Sequence, residues 1–338
     1  MSIAVEFDSV NIIFGDAPEI ALPLMDQGQS REQIQASTGQ VLGVHDCSLT
    51  VETGEILVLM GLSGSGKSTL LRAVNGLNPV ARGRVVVNNG TDMTDIATAN
   101  AATLRKIRLK RVAMVFQQFG LLPWRSVRDN VGLGLELAGL TPAQRHEQVE
   151  SQLALVGLSD WADRKVGELS GGMQQRVGLA RAFATEAPIL LMDEPFSALD
   201  PLIRTRLQDE LLELQETLKR TIIFVSHDLD EAFKLGDRIA IMEGGRIVQC
   251  GSPRDIYSNP TNDYVADFVT HMNPLGVLCA RDVMQTTTGN PTIMIDAEDR
   301  IKEAMRAIEN GAVTIGVTEK GQLIGEITPA SLLARLNT

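Results

Sequence analysis

The segment Gly61 to Thr69 (GLSGSGKST) combines glycines, small serines, a lysine and a hydroxyl residue in the spacing of a phosphate-binding loop. Glycine and serine leave successive backbone N–H groups uncovered, so these groups can converge on phosphate oxygens. Lys67 can neutralise the β- and γ-phosphates of a nucleotide, and the Ser68 hydroxyl can ligate Mg2+. The residues predicted to contact the nucleotide here are Gly61, Leu62, Ser63, Gly64, Ser65, Gly66, Lys67, Ser68 and Thr69.

Such a loop needs a strand before it and a helix after it. Ile56 to Met60 is an apolar run of strand length, and a helix is predicted to begin near Lys67. The N-terminus of that helix adds a favourable dipole for an anion. This setting favours a nucleotide site over an ordinary glycine-rich turn.

A second apolar strand, Ile189 to Met192, ends in the acidic residues Asp193 and Glu194. If this strand is parallel to the first, Asp193 can reach a magnesium ion beside Ser68. Glu194 can then orient and polarise the water that attacks the γ-phosphate. Two acids after a strand are weak evidence alone, and they become informative next to a phosphate-binding loop.

The segment Leu169 to Arg176 (LSGGMQQR) predicts a second helix start suited to an anion. Ser170 is a good N-cap, and Gly171 and Gly172 leave the N–H groups of the first turn uncovered. A single nucleotide does not obviously need two such helix ends from one chain.

In these motifs the sequence resembles the ATP-binding subunits of ABC transporters, whose signature motif is similar to Leu169 to Arg176. The resemblance implies an α/β fold, namely a P-loop NTPase cassette with a mainly parallel sheet and a helical subdomain. It implies ATP and Mg2+ as cofactors and ATP hydrolysis as the activity. In that family the signature of one subunit closes over the ATP of its partner, so a head-to-tail homodimer is expected.

The resemblance assigns roles to residues outside the phosphate-binding loop. Gln117 matches the glutamine loop and is expected to touch Mg2+ and the attacking water, while Asp193 is the expected metal ligand beside Ser68. His227, which follows the predicted strand Thr221 to Ser226, matches the switch histidine that contacts the γ-phosphate. Glu194, His227 and Gln117 are therefore the expected catalytic residues.

The remaining expected nucleotide contacts come from three segments. Ser170, Gly171, Gly172 and Gln174 belong to the signature and are expected on the ATP of the partner. Ser197 to Asp200 matches the D-loop, and Asp200 also caps the predicted helix Leu202 to Leu218. Phe14 is either the aromatic residue that stacks on adenine or a simple core residue.

Longer segments narrow the resemblance to one subgroup of these ATP-binding subunits. The insertion at Asp16 to Gln40, GLSGSGKSTLLRAVNGL from Gly61, FQQFGLLPW from Phe116 and MDEPFSALDPLIRTRLQDELLELQ from Met192 look like ATPases of importers for quaternary amines. Glycine betaine, proline betaine and choline are the substrates of that subgroup. The resemblance implies inner-membrane permease subunits as partners and, indirectly, a periplasmic or surface substrate-binding protein. It also implies a peripheral position on the cytoplasmic face of the inner membrane.

The apolar segment Phe119 to Trp124 begins two residues after Gln117. Burial is the structural default for such a loop. The functional alternative, which we favour, is that it forms part of the groove that receives a short cytoplasmic helix of the permease.

Two other functions share this kind of cassette: a non-transport ABC ATPase of DNA repair or translation, and a nucleotide sensor in which hydrolysis is vestigial. Proteins of the first kind usually carry long coiled coils or two cassettes, whereas this chain has one cassette and no heptad run. The nucleotide sensor is disfavoured because the residues needed for hydrolysis are all present, namely Lys67, Asp193, Glu194 and His227.

Composition excludes several classes of protein. The chain has 338 residues, 44% of them hydrophobic and 22% charged, which is typical of a globular protein of roughly two domains. The net charge of −11 argues against binding nucleic acid. The three cysteines are scattered and read as reduced thiols. No apolar run approaches the ~18 residues of a membrane span, and the first residues lack the basic start of a secretory signal.

The chain is expected to divide into an α/β domain at residues 1–270, a linker at 271–280 and a small α+β module at 281–338. An acidic insertion at about 16–40 interrupts the first strands and contains a helix, Ser30 to Ser37. The basic run Arg105 to Arg111 reads as a solvated helix end rather than a phosphate-binding patch, because no aromatic residues interleave with it.

The C-terminal module reads as strand, helix, strand, strand, helix, with a helix at Ala297 to Asn310 and a hairpin turn at Lys320-Gly321. Ala280 to Met284 and Gln322 to Thr328 resemble one copy of a cystathionine-β-synthase (CBS)-type regulatory module. Ser331 stands where the ribose-binding pattern of that family has an aspartate, which puts adenosine binding in doubt.

CBS-type modules normally occur as tandem pairs, and here there is one. We therefore expect two tails to pair across the ATPase dimer through an apolar face that includes Ile308, Ile315 and Ile324. Pairing of this kind would bias the open–closed equilibrium of the cassettes and respond to ionic strength.

Overall fold

The computed structural model describes residues 2–270, 276–287, 289 and 291–336. Its strands are β1 (Ile3–Phe14), β2 (Val41–Glu52), β3 (Ile56–Met60), β4 (Arg82–Asn88), β5 (Met93–Asp95), β6 (Val112–Val115), β7 (Ile189–Asp193), β8 (Thr221–Val225), β9 (Arg238–Glu243), β10 (Arg246–Gly251), β11 (Ile293–Asp296), β12 (Ile315–Glu319) and β13 (Gln322–Ile327). Its α-helices are α1 (Leu22–Asp26), α2 (Arg31–Thr38), α3 (Lys67–Ala73), α4 (Ala101–Lys110), α5 (Val127–Val131), α6 (Leu133–Leu137), α7 (Pro142–Leu155), α8 (Gly171–Ala184), α9 (Pro201–Leu218), α10 (Leu229–Leu235), α11 (Pro253–Ser258), α12 (Asp263–Val269), α13 (Ala280–Val283), α14 (Ile301–Glu309) and α15 (Pro329–Leu336).

The chain divides into two compact units. The first consists of Met1–His227 with Leu235–Cys250, and the second of Asp228–Lys234 with Gly251–Thr338. The boundaries proposed from the sequence at residues 270 and 280 stay predictions, and residues 271–275 of the expected linker lie outside the described residues.

A six-stranded sheet in the first unit has the order β10-β9-β3-β8-β7-β6. Strands β9, β3, β8, β7 and β6 are parallel. β3, β7 and β8 are buried along their whole length, which is why they appear in the sequence as continuous apolar runs. Because parallel strands end at the same edge of a sheet, the segments that follow β3, β6, β7 and β8 come together there.

A second sheet in the same unit has the order β2-β1-β4-β5 and is antiparallel. Its inner face packs with the six-stranded sheet and with α3 around one apolar core. Large side chains that have lost all contact with solvent in this core include Ile12, Leu57, Leu59, Leu70 and Leu71.

The expected helical subdomain consists of α5, α6, α7 and α8. The first three of these helices pack against α8, which also contacts β6. Most of the side chains of α8 after its first turn are buried, including Val177, Leu179 and Phe183, so this helix is the core of the subdomain. α7 begins with a capping box made by Thr141 and Gln144.

The insertion at residues 16–40 contains the predicted helix, which the structure places at Arg31–Thr38 with Ser30 as N-cap. A 3-10 turn at Pro18–Ala21 and the short helix α1 precede it. These elements enclose a small apolar cluster of their own with the ends of β1 and β2, made by Ile13, Ala21, Met25, Ile34 and Leu42.

The basic run at the end of α4 makes structural hydrogen bonds. Arg108 donates to the carbonyl oxygens of Asn75 (2.8 Å) and Gly76 (3.0 Å), and Arg111 donates to the carbonyl of Asn88 at 3.3 Å. These two side chains thus anchor the end of the helix.

The tail has the strand, helix, strand, strand, helix order expected from its sequence, and its sheet order is β11-β12-β13. β12 and β13 form an antiparallel hairpin, and both turn residues, Lys320 and Gly321, have the positive φ of a type I′ turn. α14 starts at Ile301 instead of Ala297, because the carboxylates of Asp296 and Asp299 bind nearby backbone N–H groups and hold the intervening residues in a turn. The identity of this unit as a CBS-type module stays a prediction.

The apolar face expected at Ile308, Ile315 and Ile324 is wrong for Ile315. That side chain is fully buried in the core of the tail, and Ile308 and Ile324 are partly buried against the same core. The strand period of two turns Ile315 inward with Val317. The exposed apolar side chains of this sheet include Met294 (51% exposed), Leu323 (43%) and Ile293 (40%).

Candidate active site

The phosphate-binding loop lies between β3 and α3, as predicted. Two of its glycines are required by close backbone contacts. A Cβ atom on Gly61 would lie 2.1 Å from the carbonyl oxygen of Met242, and one on Gly66 would lie 2.6 Å from that of Gly43. Both glycines also have positive φ, 140° and 99° respectively. Only glycine fits at these two positions.

Lys67 is buried inside the loop. Its ammonium group donates hydrogen bonds to the carbonyl oxygens of Gly61 (2.8 Å) and Leu62 (3.0 Å). Burial lowers the pKa of Lys67, and the nearby carboxylates of Glu194 and Asp193 oppose that change. The ammonium group of Lys67 is therefore already held inside the loop, where the phosphates of a bound nucleotide would lie.

Ser68 and Asp193 meet at the carboxyl ends of β3 and β7. The Ser68 hydroxyl donates to Oδ1 of Asp193 at 2.6 Å, and Arg72 donates to Oδ2 with two nitrogens at 2.8 and 3.2 Å. Asp193 is fully buried, so this pair of bonds fixes its carboxylate. A hydroxyl and a carboxylate oxygen this close are ligands that Mg2+ accepts.

Among the described residues, no group of three or more His, Cys, Asp or Glu side chains is placed to hold a metal ion. A cation beside Ser68 and Asp193 would therefore take its other ligands from the nucleotide phosphates and from water, as Mg2+ commonly does.

Glu194 is the point where the predicted catalytic residues converge. Its Oε2 accepts a hydrogen bond from Nε2 of Gln117 at 3.0 Å and lies 3.6 Å from Nδ1 of His227. Its backbone has the unusual φ of 49° and donates to the carbonyl of Val225. Such a left-handed conformation costs about 1–3 kcal/mol in a residue other than glycine, and it is common where side chains are aimed at a ligand.

These side chains line one open cleft with the phosphate-binding loop. The residues around it are Ser63, Gly64, Gly66, Lys67, Ser68, Thr69, Gln117, Glu194 and His227. The structure thus brings together the predicted loop, the glutamine, the glutamate and the histidine, with Asp193 bonded directly beneath Ser68.

Phe14 lies at the end of β1, beside this cleft. Its ring leaves no room for a side chain on Gly43, since Cε2 is 2.7 Å from the Cβ position there, and Thr69 is 3.1 Å from the same position. The ring is 40% exposed, so it is not simply a core residue. Its stacking on adenine stays a prediction.

The signature segment, Leu169 to Arg176, does not line this cleft in the part of the chain that the structure describes. Ser170 caps α8 by accepting a hydrogen bond from the N–H of Met173, and a Cβ on Gly171 would meet no atom within 4 Å. Gln174 donates to the carbonyls of Val166 and Leu169 and so fixes the loop before the helix.

Asp200 caps α9 through the N–H of Ile203 at 3.0 Å. Like Ser170, Gly171 and Gly172, it is absent from the cleft lining among the residues that the structure describes.

Gln175 is a site residue that the motif pattern does not single out. Its side chain is buried, donates to the carbonyl of Glu194 at 3.1 Å and accepts from the N–H of Ala198 at 3.0 Å. It therefore supports the backbone of Glu194 and ties it to α8. The sequence feature that could have identified Gln175 is its place on the apolar face of α8, one turn before Leu179.

The loop after Gln117 is anchored to the helical subdomain. The half-buried guanidinium of Arg181 on α8 donates to the carbonyls of Phe119 (2.8 Å) and Gly120 (2.7 Å), both of which have positive φ. Burial lowers the pKa of Arg181. The loop ends at Trp124, whose side chain is 69% exposed, contrary to the structural default of burial.

Comparison with known proteins agrees with this geometry. The sequence profile of the family described as ABC transporter matches residues 44–197. Glycine betaine/proline betaine transport system ATP-binding protein ProV of Escherichia coli is 51% identical over 85% of this chain and 71% of its own length. Glycine betaine/carnitine transport ATP-binding protein GbuA of Listeria monocytogenes is 42% identical over 98% of this chain and 82% of its own length.

A solved structure extends the likeness to three dimensions. The dimeric post-hydrolysis state of the ATP-binding cassette MJ0796, bound to ADP and Pi, superposes with a TM-score of 0.64. It is 29% identical in sequence and covers 74% of this chain and 99% of its own length. This chain is an ATPase and belongs to the ATP-binding subunits of ABC transporters, in the group that includes those of the glycine betaine and proline betaine systems.

Proposed function

We propose that this ATPase drives the import of a quaternary amine and that its catalytic group is Glu194 with Gln117 and His227. The convergence of these two side chains on one oxygen of Glu194 is the observation that carries the assignment. Glu194 accepts a proton from the attacking water, Gln117 orients that water, and His227 contacts the γ-phosphate. Lys67 exchanges its bonds to loop carbonyls for bonds to phosphate oxygens.

Mg2+ accompanies the nucleotide in this proposal. Ser68 and Asp193 would hold it, with Gln117 as a further contact, and the ion would neutralise charge on the phosphates. The short bond between Ser68 and Asp193 supports this assignment, because it brings two oxygen ligands into one coordination sphere.

The working unit is a head-to-tail homodimer with ATP at the interface. Support comes from the signature helix, whose N-terminus is exposed at Ser170 and Gly171 and lies outside the cleft of its own chain. The dimeric cassette structures to which this chain is similar also support it. In the dimer, Ser170, Gly171 and Gly172 contribute N–H and hydroxyl groups to the ATP of the partner.

Permease subunits receive the signal through the loop Phe119 to Trp124. Arg181 bonds the turn of this loop to the signature helix, while Gln117, two residues before the loop, bonds to the catalytic glutamate. The exposed Trp124 is suited to pack against a short apolar helix. A nucleotide-dependent shift of Gln117 or of α8 would thus reach the permease.

The substrate class rests on relatives, two of which are named for transport of glycine betaine with proline betaine or carnitine. A substrate-binding protein would deliver the amine to the permease, and this subunit would act peripherally at the cytoplasmic face of the inner membrane. Within the described residues, no helix is long and apolar enough to cross a membrane.

Uptake into vesicles tests this function. Vesicles that contain this chain and its cognate permease, supplied with the cognate substrate-binding protein, should accumulate glycine betaine, proline betaine or choline when ATP is enclosed, and should not accumulate proline, which lacks the quaternary nitrogen. Vesicles with the Glu194→Gln chain are the matched control and should show no uptake. Accumulation of none of the amines by an ATP-hydrolysing complex would exclude the proposed substrate class.

The tail is proposed to act as a CBS-type regulatory module that pairs with the tail of the partner subunit. The exposed Met294 and Leu323 on its sheet support a pairing surface. Arg254 and Arg281 form an ion-pair network with acidic residues of the same unit, Asp282, Glu298 and Glu319, and screening by salt would weaken it.

Substitution of the exposed face tests this role without disturbing the core. The variant with Met294→Glu and Leu323→Glu should retain ATPase activity and lose the dependence of uptake on salt. An unchanged salt profile would show that the tail does not regulate transport through this face.

A further inference from the structure

The insertion at residues 16–40 carries an arginine to the phosphate-binding loop. Arg31, the first residue of α2, donates from Nε to the carbonyl of Leu42 at 2.8 Å and from Nη1 to the carbonyl of Gly64 at 3.2 Å. Leu42 lies in β2 and Gly64 lines the nucleotide cleft. One guanidinium therefore joins the insertion, the antiparallel sheet and the phosphate-binding loop.

The surrounding structure fixes the position of Arg31 at the start of α2. α2 begins with a capping box between Ser30 and Gln33, and Ile34 one turn later is fully buried in the apolar cluster of the insertion. Because Leu42 belongs to the same cluster, the helix start and the strand are held together on both sides of the arginine.

A bond to the Gly64 carbonyl fixes the direction of the next N–H group. In a planar trans peptide the carbonyl and the N–H point in opposite directions. The Gly64 carbonyl is held by Arg31, so the N–H of Ser65 faces the interior of the loop, where it donates to the carbonyl of Leu62 at 3.2 Å.

The next peptide is held in the same way. The N–H of Gly245, in the turn after β9, donates to the carbonyl of Ser65 at 3.1 Å. The N–H of Gly66 is thereby turned away from that bond. Two consecutive N–H groups of the loop are thus oriented by donors that act from outside it.

We propose that Arg31 is a positioning residue for ATP, supplied by the insertion, which holds the phosphate-binding loop in the conformation that receives the β-phosphate. Lys67, Ser68 and Glu194 carry the direct contacts and the chemistry, whereas Arg31 acts through the Gly64–Ser65 peptide. The inference needs only ATP binding by the loop and is independent of the transported substrate.

Preorganisation of this kind predicts a specific kinetic signature. Loss of Arg31 lets the Gly64–Ser65 peptide rotate before the nucleotide arrives, so binding has to order it again. The catalytic glutamate is untouched once ATP is bound. The KM for ATP and the Kd for ADP therefore rise together, while kcat stays the same.

The test compares Arg31→Ala, Arg31→Lys and Arg82→Ala in the full chain. Arg82 pairs with Asp26 of the insertion at 2.7 Å on the surface, so its variant removes a charge from the same region without touching the loop. We expect Arg31→Ala to raise the KM for ATP and the Kd for ADP by about three- to tenfold, the net effect of one hydrogen bond. Arg31→Lys should recover part of the loss, and Arg82→Ala should change neither constant.

Unfolding temperatures measured without nucleotide show whether each variant is still folded and stable. Equal increases in KM for Arg31→Ala and Arg82→Ala would overturn the proposal, since they would reflect a loosened insertion. So would a KM for Arg31→Ala within twofold of the unmodified chain, or a fall in kcat at constant KM. If Arg31→Ala fails to fold, the same comparison with Arg31→Lys decides the matter: a raised KM at an unchanged unfolding temperature supports positioning, and an unchanged KM contradicts it.

Discussion

The phosphate-binding end and the signature end of this ATPase differ in how far one chain completes them. In the cleft, Ser68 already bonds to Asp193, Gln117 to Glu194, and Lys67 to carbonyls of the loop. At the start of α8, Gly171 has open space around it and the first turn faces outward. Both ends carry backbone N–H groups suited to phosphate.

In the proposed head-to-tail dimer, this difference corresponds to the half of the active site that the partner supplies. Groups that already have partners in the chain only exchange them when ATP arrives. A capped helix start with exposed N–H groups gains its partner only when another surface approaches. Hydrolysis should therefore depend on both ends, whereas nucleotide binding by one chain should depend on the cleft alone.

The substitution Glu194→Gln separates chemistry from binding in the cleft. The amide cannot accept a proton from water, so ATP hydrolysis should fall by about 10²- to 10⁴-fold. The affinity for ATP should be unchanged, because Ser68, Asp193 and Lys67 remain. Hydrolysis and the binding of a fluorescent ATP analogue would be measured on the same preparation. Glu216→Gln, an exposed residue of α9, is the control, and hydrolysis by Glu194→Gln at the wild-type rate would remove this residue from the mechanism.

The substitution Gly171→Asp tests the open end. A Cβ has room there, and a carboxylate in the first turn of a helix adds about 0.3–1 kcal/mol of stability. The same carboxylate would repel the phosphates of a partner's ATP. We expect an unfolding temperature that is equal or higher, ATP binding by the single chain that is unchanged, and hydrolysis reduced by at least about tenfold. Normal hydrolysis would mean that the signature does not meet ATP.

Gln175 lies between the two ends, and its replacement sharpens the comparison. Gln175→Leu removes the hydrogen bonds to the Glu194 carbonyl and from the Ala198 N–H, although the Glu194 carbonyl keeps its hydrogen bond from the Ser197 hydroxyl. Each lost hydrogen bond costs about 0.5–1.5 kcal/mol, and the Glu194 backbone would lose part of its support. The free energy of unfolding and kcat should both fall, the latter by a few fold, while the KM for ATP stays constant. Glu216→Gln, the exposed control on α9, should change neither quantity.

Motifs with local geometry were predictable from the sequence, and contacts between distant segments were not. The loop at Gly61 to Thr69 is read directly, because its strand, glycines and helix are consecutive. The bond from Gln175 to the Glu194 carbonyl joins a side chain to a backbone group that any residue type could provide. No pattern in the amino-acid sequence predicts such a backbone partner.

Two further features show the same limit. The contact of Arg31 with Gly64 depends on how the insertion folds onto β2, which its composition does not specify. In the tail, the apolar face was assigned to Ile315, whereas the strand register turns that residue into the core and leaves Met294 exposed. A one-residue change in register reverses the two faces of a strand, so the sequence alone favours neither.

The native cysteines suit a direct test of the composite site. Cys47 is buried, and burial raises its pKa to about 11. Burial also raises the pKa of Cys250 and of Cys279. All three thiols are therefore mostly protonated at neutral pH and react slowly with maleimides.

The central claim is that the signature of one chain meets the nucleotide cleft of another. A chain with Ser63→Cys, a residue of the cleft, would be mixed with a chain carrying Ser170→Cys, both in the Glu194→Gln background, and treated with a short bis-maleimide. Mg2+-ATP should produce a covalent dimer that contains one chain of each kind, while ADP or either chain alone should not. Absence of that mixed dimer with ATP, or linkage between two Ser170→Cys chains instead, would contradict the head-to-tail arrangement.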